Sequence, residues 1–295
     1  MSLILSGLAE VASQYDALFC DVWGVLHNGQ AAFPQAIEAL SRFRGQGKTV
    51  VLLTNAPVPS RLVEMQFGRL GVPAMAYDAI ISSGDVVISL LNERADLGVF
   101  PIGPPDETGL FSEVLALHGQ APRLVPLNEA QFVLCIGLSD PWRQTPEDYD
   151  AVLAAMRIRN LDLICANPDI VVEEGARLYY CAGAIAERYE RAGGKVIQAG
   201  KPHAPIYERA LALVQDHRVG ETLPRSRILV VGDAMATDIK GAHWQGLDSL
   251  FVTSGIHRGE LHGGTEAAAL DAAAYRQFLE AKDFVPKAAI PALVW

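Results

Sequence analysis

The chain has 295 residues, half of them hydrophobic, with 34 acidic against 24 basic side chains. At roughly 100–200 residues per domain that length favours two domains, and 20% charged residues beside 50% apolar ones is far from a disordered composition. The formal net charge of -10 argues against a nucleic-acid partner, which shows as a basic excess, but leaves room for a small anion at a locally positive site.

The first hundred residues alternate short apolar runs with segments of helical period. Ala17–Val22 (ALFCDV) reads as a strand, followed by a Gly-containing loop and a helix from about Pro34 with Ile37, Leu40 and Phe43 on one face. Thr49–Thr54 is a second strand, after which Pro57-Val58-Pro59 turns the chain into a helix with Ser60 as its expected N-cap. Ala79–Ser82 is a third strand, and the segment after Gly84 is helical. This βαβαβα order predicts a parallel sheet covered on both faces.

The middle begins with Pro101, Gly103, Pro104 and Pro105 and ends in Gly193-Gly194. Strands are expected at Phe132–Ile136 and Leu161–Cys165, and helices at Thr108–His118, Pro146–Arg157 and Tyr180–Arg191. The last hundred residues resume the first rhythm, with strands at Lys195–Ala199, Ile228–Val231 and Ser249–Thr253. A helix carries Ile206, Tyr207, Ala210, Leu211 and Val214, and an Ala-rich terminal helix is expected over 267–281. The expected fold is therefore α/β: a doubly wound parallel-sheet core made of residues 1–96 and 194–295, with 97–193 inserted as a second α/β unit.

No run approaches the ~18–20 apolar residues of a membrane span, so no membrane partner is expected. The N-terminus has no basic region and meets Glu10 early, unlike a secretory signal. Cys20, Cys135, Cys165 and Cys181 are widely spaced with no CxxC pair, which suits buried free thiols and a cytoplasmic setting. Nothing decides the oligomeric state, and a homo-oligomer is compatible with the sequence.

Polar residues that could carry chemistry stand at the ends of predicted strands. Asp21 closes the first strand, Thr54 and Asn55 the second, and Lys201 follows the strand at 195–199. Asp233 and Asp238 follow the strand at 228–231, in VVGDAMATDI. Ligands of open parallel sheets bind outside the carboxyl ends of the strands, so these segments could converge on one crevice. Their types fit phosphoryl transfer. A carboxylate can attack phosphorus and split a difficult step into two; a lysine and Mg²⁺ held by oxygen ligands would offset the repulsion. A Thr hydroxyl and backbone N–H groups would hold the nonbridging oxygens. Each piece alone has a plainer reading as a turn former, a cap or a solvated lysine.

Taken in order, DVWGVLHNG, VLLTNAP, CANPD, GKPH and GDAMATDI resemble the motifs of the haloacid dehalogenase superfamily, subfamily IIA, whose members carry a large inserted type-2 cap. The resemblance implies a Mg²⁺-dependent phosphatase of small phosphorylated metabolites, of sugar- or nucleotide-phosphate type. It implies Asp21 as nucleophile, Thr54 as phosphate ligand and Lys201 as the group orienting both. The metal would be held by Asp21, the backbone carbonyl of Trp23, Asp233 and Asp238.

One position departs from the pattern. Where the family's phosphatases carry Asp as general acid and base, two residues after the nucleophile, this chain has Trp23. An indole cannot shuttle a proton in water, and losing such help costs ~10²–10⁴-fold in rate. His27 and His203 are the candidate replacement acids, each with a plainer reading as a surface or packing residue. The favoured reading is a hydrolase that is slow or selective toward activated phosphates; the alternatives are a non-catalytic or weakly active protein that binds a phosphorylated ligand, and a different reaction at the same nucleophile. In the inserted segment Asn167 and Asp169 are either turn formers or substrate ligands, and Gly183 either admits a ligand or relieves helix packing. Arg143, Glu173 and Glu174 are expected at the rim, and His257 and Arg258 either near the crevice or in a solvated loop. A nicotinamide dehydrogenase would need glycines where Asp21 stands.

Overall fold

The computed structural model describes residues 2–104, 109–174, 177–216, 222–262 and 270–295; of 173, 174 and 216 only the backbone is described. Pro105, Thr108, the first residues of the Ala-rich stretch and the side chains of Glu173 and Glu174 therefore lie outside it. In chain order the elements begin β1 (Leu3–Ile4), α1 (Ala9–Ala12), β2 (Ala17–Asp21), α2 (Pro34–Arg44), β3 (Thr49–Thr54), α3 (Ser60–Leu70), β4 (Ala79–Ser82) and α4 (Ser83–Asn92). Then come β5 (Gly98–Ile102), α5 (Leu110–His118), β6 (Arg123–Leu124), β7 (Phe132–Cys135), α6 (Asp150–Ile158), β8 (Asp162–Cys165), β9 (Val171–Glu174), β10 (Arg177–Tyr180), α7 (Ala182–Arg191) and β11 (Val196–Gln198). The chain closes with α8 (Ala204–Asp216), β12 (Ile228–Gly232), α9 (Lys240–Trp244), β13 (Asp248–Val252), α10 (Arg258–Leu261), α11 (Ala272–Glu280) and β14 (Ala288–Ile290).

The fold is α/β, and the described residues form two sheets and a ribbon. Seven strands run in the order β1-β14-β13-β12-β2-β3-β4, and five in the order β11-β8-β7-β5-β6. The pairs β2–β3, β12–β2, β12–β13 and β13–β14 are parallel, as are all those of the five-stranded sheet. The β9–β10 ribbon is antiparallel. Two compact units emerge: residues 1–54, 65–81 and 207–295, and residues 55–64 and 82–206. In the first, β2, β3 and β12 are apolar and almost wholly buried, as strands covered on both faces must be. The core of the second gathers Val133, Cys135, Met156, Leu163, Cys165, Ile185 and Tyr189.

Several expectations shift in detail. Ser60 is not an N-cap but the first residue of α3, and its N–H donates to Asp85 Oδ1 at 3.0 Å. The same Asp85 closes a capping box on α4, accepting the Ser82 N–H at 2.9 Å while its own N–H donates to Ser82 Oγ at 3.0 Å. Tyr180 belongs to β10 rather than to α7, because it pairs with Val171 and Cys181 N–H is tied to Ile170 O. The strand expected in the core at 195–199 joins the five-stranded sheet, Val196 lying opposite Leu163. The Ala-rich helix starts at Ala272, capped by Asp271, and is not terminal: β14 follows it and pairs with β13 and β1. Among the described residues no helix is long and apolar enough to cross a membrane.

None of the four cysteines is in a disulfide, and all four are buried. Burial pushes the Cys135 thiol up to about 12, and it raises those of Cys165 and Cys181 further above their ordinary range. At pH 8 these groups stay protonated and unreactive. A maleimide should therefore label none of the three in native protein and all of them in denaturant, read by mass spectrometry. Asp85→Ala should lower the unfolding free energy by about 1–2 kcal/mol in urea titrations, the usual cost of a lost cap.

Candidate active site

The seven-stranded sheet reverses direction at β2. From there the chain proceeds to β3 and β4 on one side, while β12, β13 and β14 lie on the other. A reversal of this kind leaves a crevice at the carboxyl edge, since the connections on its two sides leave in opposite directions. Register then levels the polar residues. Val231 pairs with Cys20 and Asp21 with Leu53, so Asp233 and Thr54 each stand just beyond the row that holds Asp21.

Asp21, Asp233 and Asp238 are buried, and one oxygen from each lies within 4.8 Å of the others. Three hard anionic donors this close suit a small divalent cation of the Mg²⁺ or Ca²⁺ kind. Asp238 sits in a π-helical turn, Met235–Ile239, and its Oδ2 accepts the Ala234 N–H at 3.1 Å. Gly232 permits this, because a Cβ there would overlap the Asp238 side chain. Single π turns recur at functional sites, where they re-aim one residue.

Asp233 is fixed by groups that carried no signal in the sequence. Its Oδ2 accepts the Ile256 N–H at 2.8 Å, and Gly24 (φ +81°) and Gly255 press on its carboxylate so closely that a Cβ at either would overlap it. His257 braces the same loop: its Nε2 accepts from Met235 N–H at 3.4 Å, and its Nδ1 lies 2.8 Å from Glu260 Oε1. His257 thus supports the loop of Asp233. The glycines of DVWGV and TSGI were the available hint, but a backbone N–H donor has no side-chain signature.

Trp23 is half-buried and lies in the loop after β2. Its ring meets the His27 imidazole edge-on, with centroids 5.3 Å apart. His27 is 1% exposed, and burial pushes it down to about 4. Its Nδ1 accepts the Gly29 N–H at 3.0 Å, so the proton resides on Nε2, which is buried without a hydrogen-bond partner. His27 is a neutral packing histidine and does not fill the role of the missing acid.

Asn55, Asn167, Asp169, Gly183 and Lys201 belong to the second unit. Asn55 ties three of its segments together: Nδ2 donates to Asp169 Oδ1 at 2.9 Å and to Lys201 O at 3.1 Å, and Oδ1 accepts the Lys201 N–H at 2.7 Å. Lys201 is 3% exposed. Asn167 forms a turn, its Oδ1 accepting the Asp169 N–H at 3.0 Å. Gly183 lets the start of α7 approach the Pro168 and Asp169 carbonyls, where a Cβ would overlap them. Arg143 is exposed and pairs with Asp140, its neighbour three residues away. His203 donates its backbone N–H to Gly200 O.

Residues 18–116 match the family model of haloacid dehalogenase-like hydrolases, and 198–277 match a second HAD-hydrolase-like model. The crystal structure of a haloacid dehalogenase-like hydrolase from Brucella suis is 44% identical, with a TM-score of 0.83, covering 99% of this chain and 100% of that one. The chain belongs to the haloacid dehalogenase-like hydrolases. Within them it is of the subfamily IIA type. Mouse chronophin is 26% identical over 269 residues, 85% of each chain. The ribonucleotide monophosphatase NagD of Escherichia coli is 27% identical over 244 residues, 81% of this chain and 88% of that one. As a haloacid dehalogenase-like hydrolase, the chain carries its acidic cluster on the first unit and the Asn55–Lys201 bridge on the second.

Gly255→Ala should displace the Asp233 carboxylate and weaken Mg²⁺ binding at least about tenfold in calorimetric titrations, a loss typical of disturbed support around a ligand. His27 sets a pH dependence. The unfolded imidazole takes a proton near 6.5 and the folded one only near 4, so stability present at neutral pH is lost as pH falls across that window. The loss is on the order of 3 kcal/mol. Chemical denaturation of wild type and His27→Asn between pH 7 and 4 should show a gap that narrows as pH falls.

Proposed function

We propose that this hydrolase is a Mg²⁺-dependent phosphatase of small phosphorylated metabolites, of sugar- or nucleotide-phosphate type, working through an aspartyl-phosphate. The observation that carries the reading is the buried trio Asp21, Asp233 and Asp238, drawn within 4.8 Å at the reversal of the sheet. The name of the related ribonucleotide monophosphatase supports the substrate class. Asp21, Asp233 and Asp238 fit such a metal, and the backbone carbonyl of Trp23 would complete its ligands. Bound there, Mg²⁺ supplies positive charge that offsets the repulsion between Asp21 and a phosphate dianion.

An Asp21 oxygen attacks phosphorus; the new O–P bond forms as the bond to the leaving oxygen breaks. The Thr54 hydroxyl and the neighbouring N–H groups hold the nonbridging oxygens. Lys201 orients nucleophile and phosphate, and the Asn55 bridge to its backbone holds it in place. Water then attacks phosphorus as the bond to the Asp21 oxygen breaks, its proton passing to solvent because Trp23 cannot accept it, and inorganic phosphate and free Asp21 are released. Residues 97–193 act as an inserted cap, and within it the Asn167–Asp169 turn, seated on Gly183, selects the substrate. The four buried thiols favour a cytoplasmic setting.

A second reading, a phospholigand-binding protein with little or no turnover, is favoured by Trp23 beside a histidine that stays neutral. Kinetics separate the two. With Mg²⁺, 4-nitrophenyl phosphate and acetyl phosphate should both be hydrolysed, and Asp21→Asn should abolish at least about a thousandfold of that rate. Intact substrates with wild type would favour the binding reading, and turnover persisting in Asp21→Asn would overturn the aspartyl-phosphate. Trp23→Asp should raise turnover of alkyl phosphates by up to about 10²-fold more than that of aryl phosphates, because only the alkoxide needs a proton. An equal gain for both would show that protonation of the leaving group does not limit the rate.

A further inference from the structure

The Trp23 indole is held by its own loop from two directions, and the two restraints are linked. Gly29 (φ +84°) abuts the outer carbons of the six-membered ring, so that a Cβ would come within 2.5 Å of Cη2. His27 stands edge-on to the same ring and holds Gly29 through its Nδ1. Behind His27 the contacts continue to Phe67 and Tyr77, with centroids 6.0 and 5.7 Å apart. The root of the indole is fixed as firmly. Trp23 lies between Asp21, a member of the carboxylate trio, and Gly24, which abuts the carboxylate of Asp233.

We propose that Trp23, locked by His27 and Gly29, is the specificity-determining residue of the site: a fixed aromatic wall beside Asp21 that selects phosphoesters with flat, conjugated leaving groups. The inference rests on the phosphatase reading and narrows its substrate class. One residue has two effects that favour the same chemistry. It removes the acid, so that when the P–O bond breaks the electron pair must be carried by the leaving oxygen alone; an aryl or enol oxygen delocalises it and takes its proton from solvent afterwards. It also provides a π face on which a flat leaving group can stack. A saturated alcohol gains from neither. His27 touches no substrate and acts as a positioning residue through the indole.

The test compares affinity for phenylphosphonate and methylphosphonate in the Mg²⁺-loaded protein by calorimetry, with the kcat/KM ratio of 4-nitrophenyl phosphate to acetyl phosphate. Wild type should prefer the phenyl compound by about tenfold, the size of one aromatic stack. Trp23→Leu should erase that preference and Trp23→Phe should keep most of it. His27→Leu and Gly29→Ala should lower it through KM more than kcat, and His27→Asn, which retains an acceptor for the Gly29 N–H, should lie nearer wild type. Equal phosphonate affinities in wild type, or an unchanged preference in Trp23→Leu, would overturn the wall. Absence of turnover in wild type would instead sink the phosphatase reading, and the phosphonate comparison would still decide the wall.

Discussion

Three carboxylates buried within 4.8 Å of one another repel strongly. At an effective dielectric of about 20 each pair costs at least about 3 kcal/mol when ionised. A sheet that draws Asp21, Asp233 and Asp238 together at the reversal of its strand order therefore sustains a local cost that a bound divalent cation would turn into attraction. The formal charge of -10 overstates what an incoming phosphate meets, because part of that excess is concentrated where a cation would neutralise it.

The fold holds this arrangement by close approach of backbone. Gly24 and Gly255 enclose Asp233, Gly232 admits the Asp238 side chain, and the Ile256 N–H fixes one Asp233 oxygen. The buried strands β2 and β12 set the height of the acidic row, and the loops leaving β12 and β13 interlock through Met235 and His257. Positioning of this kind, on rigid strand ends with support behind each ligand, is what a charged site requires to keep its geometry. In the second unit Asn55 does comparable work with a single amide, joining Asp169 to the backbone of Lys201.

Much of this was legible in the sequence for one reason: strands buried on both faces read as apolar runs, so a polar residue ending such a run stands out. Asp21, Thr54 and Asp233 were placed in that way. The π turn at Asp238 was not legible, because its hydrogen bonding differs from a helix by a single offset that leaves no trace in periodicity. The β9–β10 ribbon escaped notice because β10 is largely exposed and its four residues run directly into the apolar start of α7, and β14 because three residues are too few for a pattern. Membership of β11 in the five-stranded sheet depends on register with β8, which a single strand cannot reveal. The interlock of Trp23, His27 and Gly29 hides for another reason: each residue has an ordinary role alone, and only their mutual contacts give the indole a fixed place.

The central claim is that Asp21 is a nucleophile whose reacting position is completed by a cation held at Asp21, Asp233 and Asp238. Beryllofluoride, which mimics a phosphoryl group on a carboxylate, tests it most directly by ¹⁹F NMR. A bound resonance should appear only with Mg²⁺ present and should vanish in Asp21→Asn and in Asp233→Asn. A bound signal that survives Asp21→Asn, or one that forms equally well without Mg²⁺, would contradict the account.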